Sequence, residues 1–494
     1  MKATGLRNGW RNGWRTMLLM GAIGLLPSGG FGSPPATGSA EARFGLNYAP
    51  VEFTPPEGER AALANGIALH HYQEAEVPLV TVLVRVAAGS IDDPPGKQGA
   101  TEMTGEVIRN GGSEKLPGDA LDRELESRGA LLSVQTTREE TWFRLSVLKE
   151  DLDWGLGLLS DLLAHPRMPA DKLEEARGRK LVDLQQRLDV PRDAARALFP
   201  QLVFGRGNPW GWTSTSRTLG SIKIEDLQAL RQRCYRADRL MLGMAGAVAF
   251  DPARSLAEQY FGPEAFAGEP ARPLTPPPVE PVAQTRVYVV PQPLTQNVVY
   301  FGHEGISRFA DEKFAVRLFN EILSGGFSSR LIKEVRSDRG LAYLVYGQIG
   351  EGTVRGIFYN VALTKVQTTT QTLRVMLDVD ESLREAPPRP EEVELARQAT
   401  VNSFVFLFDT AEQIVRQQMT LDAFHYPKDY LATYVQNLKA VTADAIQQAA
   451  RKDLRLDQLV ILIYGAVDAR LRAELEKLGP ITEISDEQLR KEWL

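Results

Sequence analysis

The chain has 494 residues, 43% of them hydrophobic and 24% charged, a globular balance that excludes wholesale disorder and a fibrous architecture. Its 57 Lys and Arg against 63 Asp and Glu give a net charge of −6, without the basic runs that hold phosphate, which argues against a nucleic-acid binder. A single cysteine, Cys234, excludes an internal disulfide and a cysteine-built metal centre, and five histidines are few for a metal enzyme.

In chain order, the first element is a leader. Lys2, Arg7, Arg11 and Arg15 precede an apolar stretch, Met17 to Leu26, which is followed by Pro27 and small residues up to Ala40. Basic, then apolar, then small is the order of a secretory signal, predicted over residues 1–40. The apolar core is too short to span a bilayer, which needs ~20 residues, and no later segment is long enough, so stable membrane insertion is not expected. Cleavage near Ala40 leaves a net charge of −10. Export without paired cysteines points to a bacterial periplasm.

Residues 41–266 form the first predicted domain: a strand at 79–87, an amphipathic helix at 100–110, strands at 131–136 and 141–148 and a long helix at 171–188. It closes with a helix and strand over 224–248, ending at Gly246-Ala247-Val248. Residues 267–284 are a linker, with six prolines between Pro270 and Pro281, where neither a helix nor a central strand can continue. Residues 285–494 repeat the order: strand 297–303, helix 312–323, strands 341–349 and 354–363, long helix 391–408, then 443–467 ending at Gly465-Ala466-Val467. The echo predicts two homologous α+β domains, each a mainly antiparallel sheet with helices packed on one face. There is no glycine-rich dinucleotide fingerprint and no phosphate loop.

The helix at 100–110 carries Glu102 and Glu106 four apart, neighbours on one face, with Gly105 between them at a cost of ~1 kcal/mol relative to Ala. Arg109 is placed to pair with Glu106. On these residues alone the face is a solvated, salt-bridged helix surface.

The run Gly89-Ser90-Ile91-Asp92-Asp93-Pro94-Pro95-Gly96-Lys97-Gln98-Gly99 into this helix resembles the pitrilysin/insulinase family of zinc metallopeptidases. That family carries an inverted His-x-x-Glu-His motif here, two imidazoles for zinc and a Glu as general base. In register, Glu102 stands at the first His, Gly105 at the base and Glu106 at the second His. The third ligand falls on the helix at 174–188, where Asp183 matches by its offset from Pro191. The resemblance therefore implies a zinc-peptidase scaffold whose ligands and base are replaced. Three carboxylates would suit calcium or magnesium; the alternative is a vestigial, water-filled or salt-bridged site. None of the five histidines restores zinc. His70 and His71 alternate on a strand, His165 precedes a proline, and His303 and His425 are isolated in the second half.

Further along, Asn208-Pro209-Trp210-Gly211 resembles the family's turn before a helix, and Leu219 to Leu227 its following helix. Gly325-Gly326-Phe327-Ser328-Ser329-Arg330-Leu331, Glu334-Val335-Arg336 and Arg339-Gly340-Leu341-Ala342-Tyr343 resemble the segment whose Arg and Tyr, seven apart, bind substrate carbonyls in the opposed catalytic domain. Arg336 and Tyr343 match that pair. Family members form a clamshell of two bowls with two domains each, so this chain is one bowl. The resemblance implies a non-catalytic, substrate-binding subunit of an exported heterodimeric peptidase. No cofactor sits on this chain; zinc is expected on a homologous partner, and a peptide is the substrate. Two other readings are a non-hydrolytic scaffold of the same fold and a stand-alone carboxylate-metal hydrolase. The acidic charge would favour basic peptides if it lines the chamber.

Overall fold

The computed structural model describes residues 53–262, 266 and 278–494. The predicted leader, residues 1–40, and most of the proline linker lie outside the described residues.

The first half runs β1 (Glu59–Ala62), β2 (Ala68–Gln73), β3 (Leu79–Val86), α1 (Ala100–Gly111), α2 (Gly118–Ser127), β4 (Leu131–Thr136), β5 (Thr141–Leu148), α3 (Leu152–Ala164), α4 (Ala170–Asp189), α5 (Pro191–Phe204), α6 (Ser216–Ser221), α7 (Ile224–Cys234), β6 (Leu240–Gly246) and α8 (Phe250–Phe261). The second half runs β7 (Arg286–Pro291), β8 (Gln296–Glu304), β9 (Ile306–Ser307), α9 (Lys313–Ser324), a π-helical turn (Ile332–Ser337), β10 (Ala342–Ile349), β11 (Glu351–Gly352) and β12 (Ile357–Lys365). It continues with α10 (Thr369–Glu385), α11 (Pro390–Phe404), α12 (Ala411–Ala423), α13 (Tyr430–Ala440), α14 (Ala443–Asp453), β13 (Val460–Gly465), α15 (Ala469–Glu476) and β14 (Ile481–Glu483).

These strands build two six-stranded sheets, β1-β2-β6-β3-β5-β4 and β10-β12-β8-β13-β7-β14, plus a short β9/β11 ladder. Five strands correspond between the sheets. β2 and β6 pair in parallel, as β7 and β13 do, and the remaining shared pairs are antiparallel. The fold is therefore the expected α+β architecture with an internal repeat. Both closing strands end on a glycine in the left-handed region, Gly246 at φ 123° and Gly465 at φ 145°. A Cβ at Gly246 would lie 2.2 Å from Leu79 O and one at Gly465 2.2 Å from Asn297 Oδ1, so both positions require glycine.

Side chains along the strands alternate between two cores. On β3, Val80, Val82 and Val84 pack with Met103 and Val107 of α1 and Leu156 and Leu159 of α3. Leu83 points the other way, onto Ala411, Val415 and Met419 of α12. On β8, Val299 and Phe301 meet Val316 and Phe319 of α9, whereas Val298 and Tyr300 meet Leu198, Phe199 and Leu202 of α5. Each sheet is thus covered on one face by helices of its own half. Its other face is covered by one helix lent from the other half, α5 to the second sheet and α12 to the first. This differs from the expectation of helices on one face only: the repeat closes both faces by exchange. Arg144–Glu412 at 2.8 Å and Arg308–Glu139 at 3.0 Å add ion pairs across the two halves.

Candidate functional site

Helix α1 starts where Asp93 accepts the backbone N–H groups of Gly99 and Thr101, both at 2.7 Å, which satisfies donors otherwise unpaired at a helix start. Burial pushes the Asp93 carboxyl up to about 7, against the lowering effect of those two bonds. One face of the helix, with Met103, Val107 and Ile108, enters the core. Glu102 and Glu106 remain half-buried on the side that faces α4.

There the carboxylates meet a cation. Lys180 Nζ lies 2.6 Å from Glu102 Oε1 and 2.8 Å from Glu106 Oε1, and Arg179 reaches Glu106 Oε2 at 3.3 Å. Burial alone would lower the Lys180 ammonium; Glu102 and Glu106 outweigh it and hold it above its ordinary value. A single amino group thus bridges the two positions that hold zinc in the resembled motif. Asp183 is not drawn into this cluster. It is exposed one turn further along α4, and its charge acts on Arg187 instead. The expected Arg109–Glu106 pair does not form either. Arg109 reaches Asp122 of α2 at 2.5 Å and donates to Leu132 O at 3.2 Å, because it leaves the helix toward β4.

Gly105 is buried against β4 and β5. A Cβ there would lie 2.9 Å from Val134 Cγ2 and 3.4 Å from Thr141 Cγ2. The glycine therefore removes any general base and also lets α1 press onto the sheet. The donor set does not fit zinc: it offers two carboxylates already paired with an ammonium and a guanidinium, with no imidazole. Among the described residues no group of three His, Cys, Asp or Glu is placed to hold a metal ion. The histidines serve the fold. His70 bonds Asp422 at 3.1 Å, and His71 bonds Glu59 at 3.0 Å and donates to Val248 O at 2.9 Å. His303 is pushed down to about 3 by burial and accepts the Arg455 N–H at 3.0 Å.

Replacing Lys180 by Gln leaves two carboxylates face to face with Arg179 and, at longer range, Arg187 as the nearby cations. The expected loss of stability is about 1–3 kcal/mol at neutral pH, read as a lowered urea midpoint. A change below about 0.5 kcal/mol would show that the ammonium is a surface ornament.

The second sequence motif is assembled at the edge of the second sheet. Arg336 lies near the end of the π-helical turn, and its Cζ is 5.2 Å from the centre of the Tyr343 ring, a cation–π stack. Tyr343 sits at a register shift in β10, between Ala342 and Leu344, and is 77% exposed. β10 pairs only with β12, so its outer edge has no strand partner among the described residues. Phe327, in the glycine-containing turn before the π-helical turn, is 86% exposed. The first sheet ends in the same way, with β4 paired only to β5 beside α1. Sequence reasoning missed Lys180, Arg179 and Arg187. The signal was present as the basic run Arg177-Gly178-Arg179-Lys180 on the helix opposite two glutamates.

A duplicated sheet-and-helix unit, with two glutamates bridged by an ammonium on the first helix of one copy and an exposed Arg–Tyr pair in the other, defines a metallopeptidase-type scaffold. The comparisons place it: residues 70–199 match the family model of insulinase, peptidase family M16, and residues 221–400 match that of the peptidase M16 inactive domain. The chain belongs to the insulinase (M16) family of peptidases. An uncharacterized zinc protease of Mycobacterium tuberculosis is 27% identical over 344 residues, which is 68% of this chain and 75% of the relative. The probable mitochondrial-processing peptidase subunit beta of Schizosaccharomyces pombe is 30% identical over 213 residues, 42% of this chain and 45% of that one. The crystal structure of a peptidase M16 inactive domain from Pseudomonas fluorescens shares the fold, with a TM-score of 0.77 at 23% identity, over 84% of this chain and 99% of that chain.

Proposed function

We propose that the chain is the non-catalytic, substrate-binding subunit of an exported two-chain zinc peptidase. The observation that carries this reading is an asymmetry between the halves. At the positions of the zinc ligands an ammonium bridges two glutamates and the base is a buried glycine. The Arg336–Tyr343 pair, by contrast, is assembled and exposed on a free sheet edge. Residues 1–40 would direct export and be removed, leaving domains 41–266 and 285–494 joined by the linker 267–284. A homologous partner would supply zinc, its ligands and the base. In the pair, Arg336 and Tyr343 would donate hydrogen bonds to peptide carbonyls and to the oxyanion that forms on hydrolysis, where a fixed donor is worth most. The edges of β4 and β10 can each take a peptide as an added strand. The Lys180 cluster disfavours a stand-alone carboxylate-metal hydrolase, because a metal ion would have to displace the ammonium.

The test is reconstitution with the homologous zinc-binding subunit recovered by co-purification from the native host. The chain alone is expected to cleave no peptide with or without added zinc, and the pair to cleave. Arg336→Ala in the pair is expected to lower kcat/KM about 100-fold, with Tyr343→Phe less severe. Unchanged turnover by Arg336→Ala would remove the pair from the reaction.

A further inference from the structure

Beside the ion cluster lies a cavity of about 240 Å³, lined among others by Ser90, Thr137, Arg138, Arg187, Trp212 and Ser214. Two acids, Asp93 and Glu102, line it as well; Lys180 holds Glu102, and burial pushes the Asp93 carboxyl up to about 7. Arg179 and Lys180 are paired with Glu106 and Glu102, whereas neither cavity arginine has a carboxylate at ion-pair distance among the described residues. Arg138, in the turn between β4 and β5, makes no ion pair among the described residues, and its one ring contact is with Phe204 at 6.0 Å. Arg187, in the last turn of α4, makes none either, and Glu102, Asp183 and Asp193 act on it only at longer range. Burial pulls both guanidinium groups below their ordinary value, although Glu139 acts on Arg138 and Glu102 on Arg187 in the opposite direction.

A guanidinium is a planar fork whose natural complement is a carboxylate or phosphate, bound through two parallel N–H···O bonds. Two such forks converge on this cavity, with the hydroxyl-bearing Ser90, Thr137 and Ser214 around them. The space suits an amino-acid side chain. Thr136, the last residue of the free-edged strand β4, also lines it, so a peptide added along β4 would run past the cavity mouth.

We infer that this cavity is a subsite for an acidic side chain of a peptide lying along β4, with Arg138 and Arg187 binding its carboxylate. This rests on the chain being a peptide-binding subunit, and it assigns that subunit a substrate class: peptides carrying Glu or Asp at one position. It reverses the preference for basic peptides that the net charge alone suggests, because neither cavity arginine is held in an ion pair of its own.

The test is fluorescence anisotropy on the full chain, with a labelled extended octapeptide carrying one central Glu and the same peptide carrying Gln. The Glu peptide is expected to bind about tenfold more tightly, and Arg138→Gln or Arg187→Gln to bring the two within about twofold. Both arginines are half-buried, so either variant keeps the test usable if the other fails to fold. Equal binding of both peptides by the unsubstituted chain overturns the subsite and leaves the peptide-binding reading standing. Failure to bind either peptide overturns both. A Glu preference that survives both substitutions overturns the assignment to these arginines, as does binding of inorganic phosphate that leaves the Glu peptide undisplaced.

Discussion

Phe199→Ala is expected to destabilise the protein by about 3–5 kcal/mol, the range for deleting a buried aromatic ring. Phe199 is 2% exposed on α5 and stacks on Tyr300 of β8 at 5.0 Å between ring centres and 28° between planes. Stacking of this kind adds to the area it buries. The location matters more than the size. Phe199 belongs to the first half by sequence and to the core of the second half by packing, with Val298, Val460, Leu462 and Tyr464 around it. Its removal should loosen the hold of one repeat on the other as well as lower the total stability. Urea unfolding followed by tryptophan fluorescence should move to a lower midpoint and broaden into two steps. Leu156→Ala, in the first half's own core, should lower the midpoint without splitting the transition. A single sharp transition shifted by less than about 1 kcal/mol for Phe199→Ala would show that α5 is not a structural tie.

The exchange of α5 and α12 was the least legible part of the fold. β3, β8 and β13 announce themselves by β-branched and aliphatic runs, because those patterns depend on neighbours within a few residues, whereas β6, Leu-Met-Leu-Gly-Met-Ala-Gly, carries no β-branched residue. Nothing of that range says which sheet an amphipathic helix will cover. The β13 run Val460-Ile461-Leu462-Ile463-Tyr464 did hint at it, since a strand apolar on both sides must be covered on both faces.

The candidate site divides in the same way. Glu102, Gly105 and Glu106 lie within one helix, so their relation could be read from spacing. Arg336 and Tyr343 were legible only through the resemblance of their segment and their seven-residue spacing, and the structure stacks one on the other. Asp183 was chosen by counting along α4, yet the side chain that reaches α1 is Lys180, one turn earlier. The packing of α4 on α1 sets which turn faces the glutamates, and counting from Pro191 does not carry that rotation. Arg109 shows the same limit. A helix neighbour at Glu106 was available, but Asp122 of α2 and the carbonyl of Leu132 made the better site.

The buried carboxyl of Asp380 gives the second large effect. It lies on α10 and accepts a hydrogen bond from Asn360 Nδ2 of β12 at 2.6 Å, with its other oxygen unpartnered. Burial pushes its pKa up to about 8 from an ordinary 3.8. The folded chain therefore keeps this proton up to about pH 8, whereas the unfolded chain releases it near 3.8. Between those values the folded state binds more protons, so stability from this group is full below pH 3.8 and is lost as pH rises through 8. Asp380→Asn keeps the site neutral at every pH and removes that slope. The variant should match or fall slightly below the parent near pH 4. Near pH 9 it should be the more stable of the two. The difference between them should change by on the order of 5 kcal/mol across that span. Asp93 and Asp453, raised to about 7 and about 6, tilt both proteins alike and cancel in the comparison. His303, lowered to about 3, acts the other way as pH falls below its ordinary 6.5 and cancels too. Urea unfolding at pH 4, 6.5 and 9 for parent and variant reads the difference directly, and parallel pH profiles would mean that Asp380 is ionised in the folded protein.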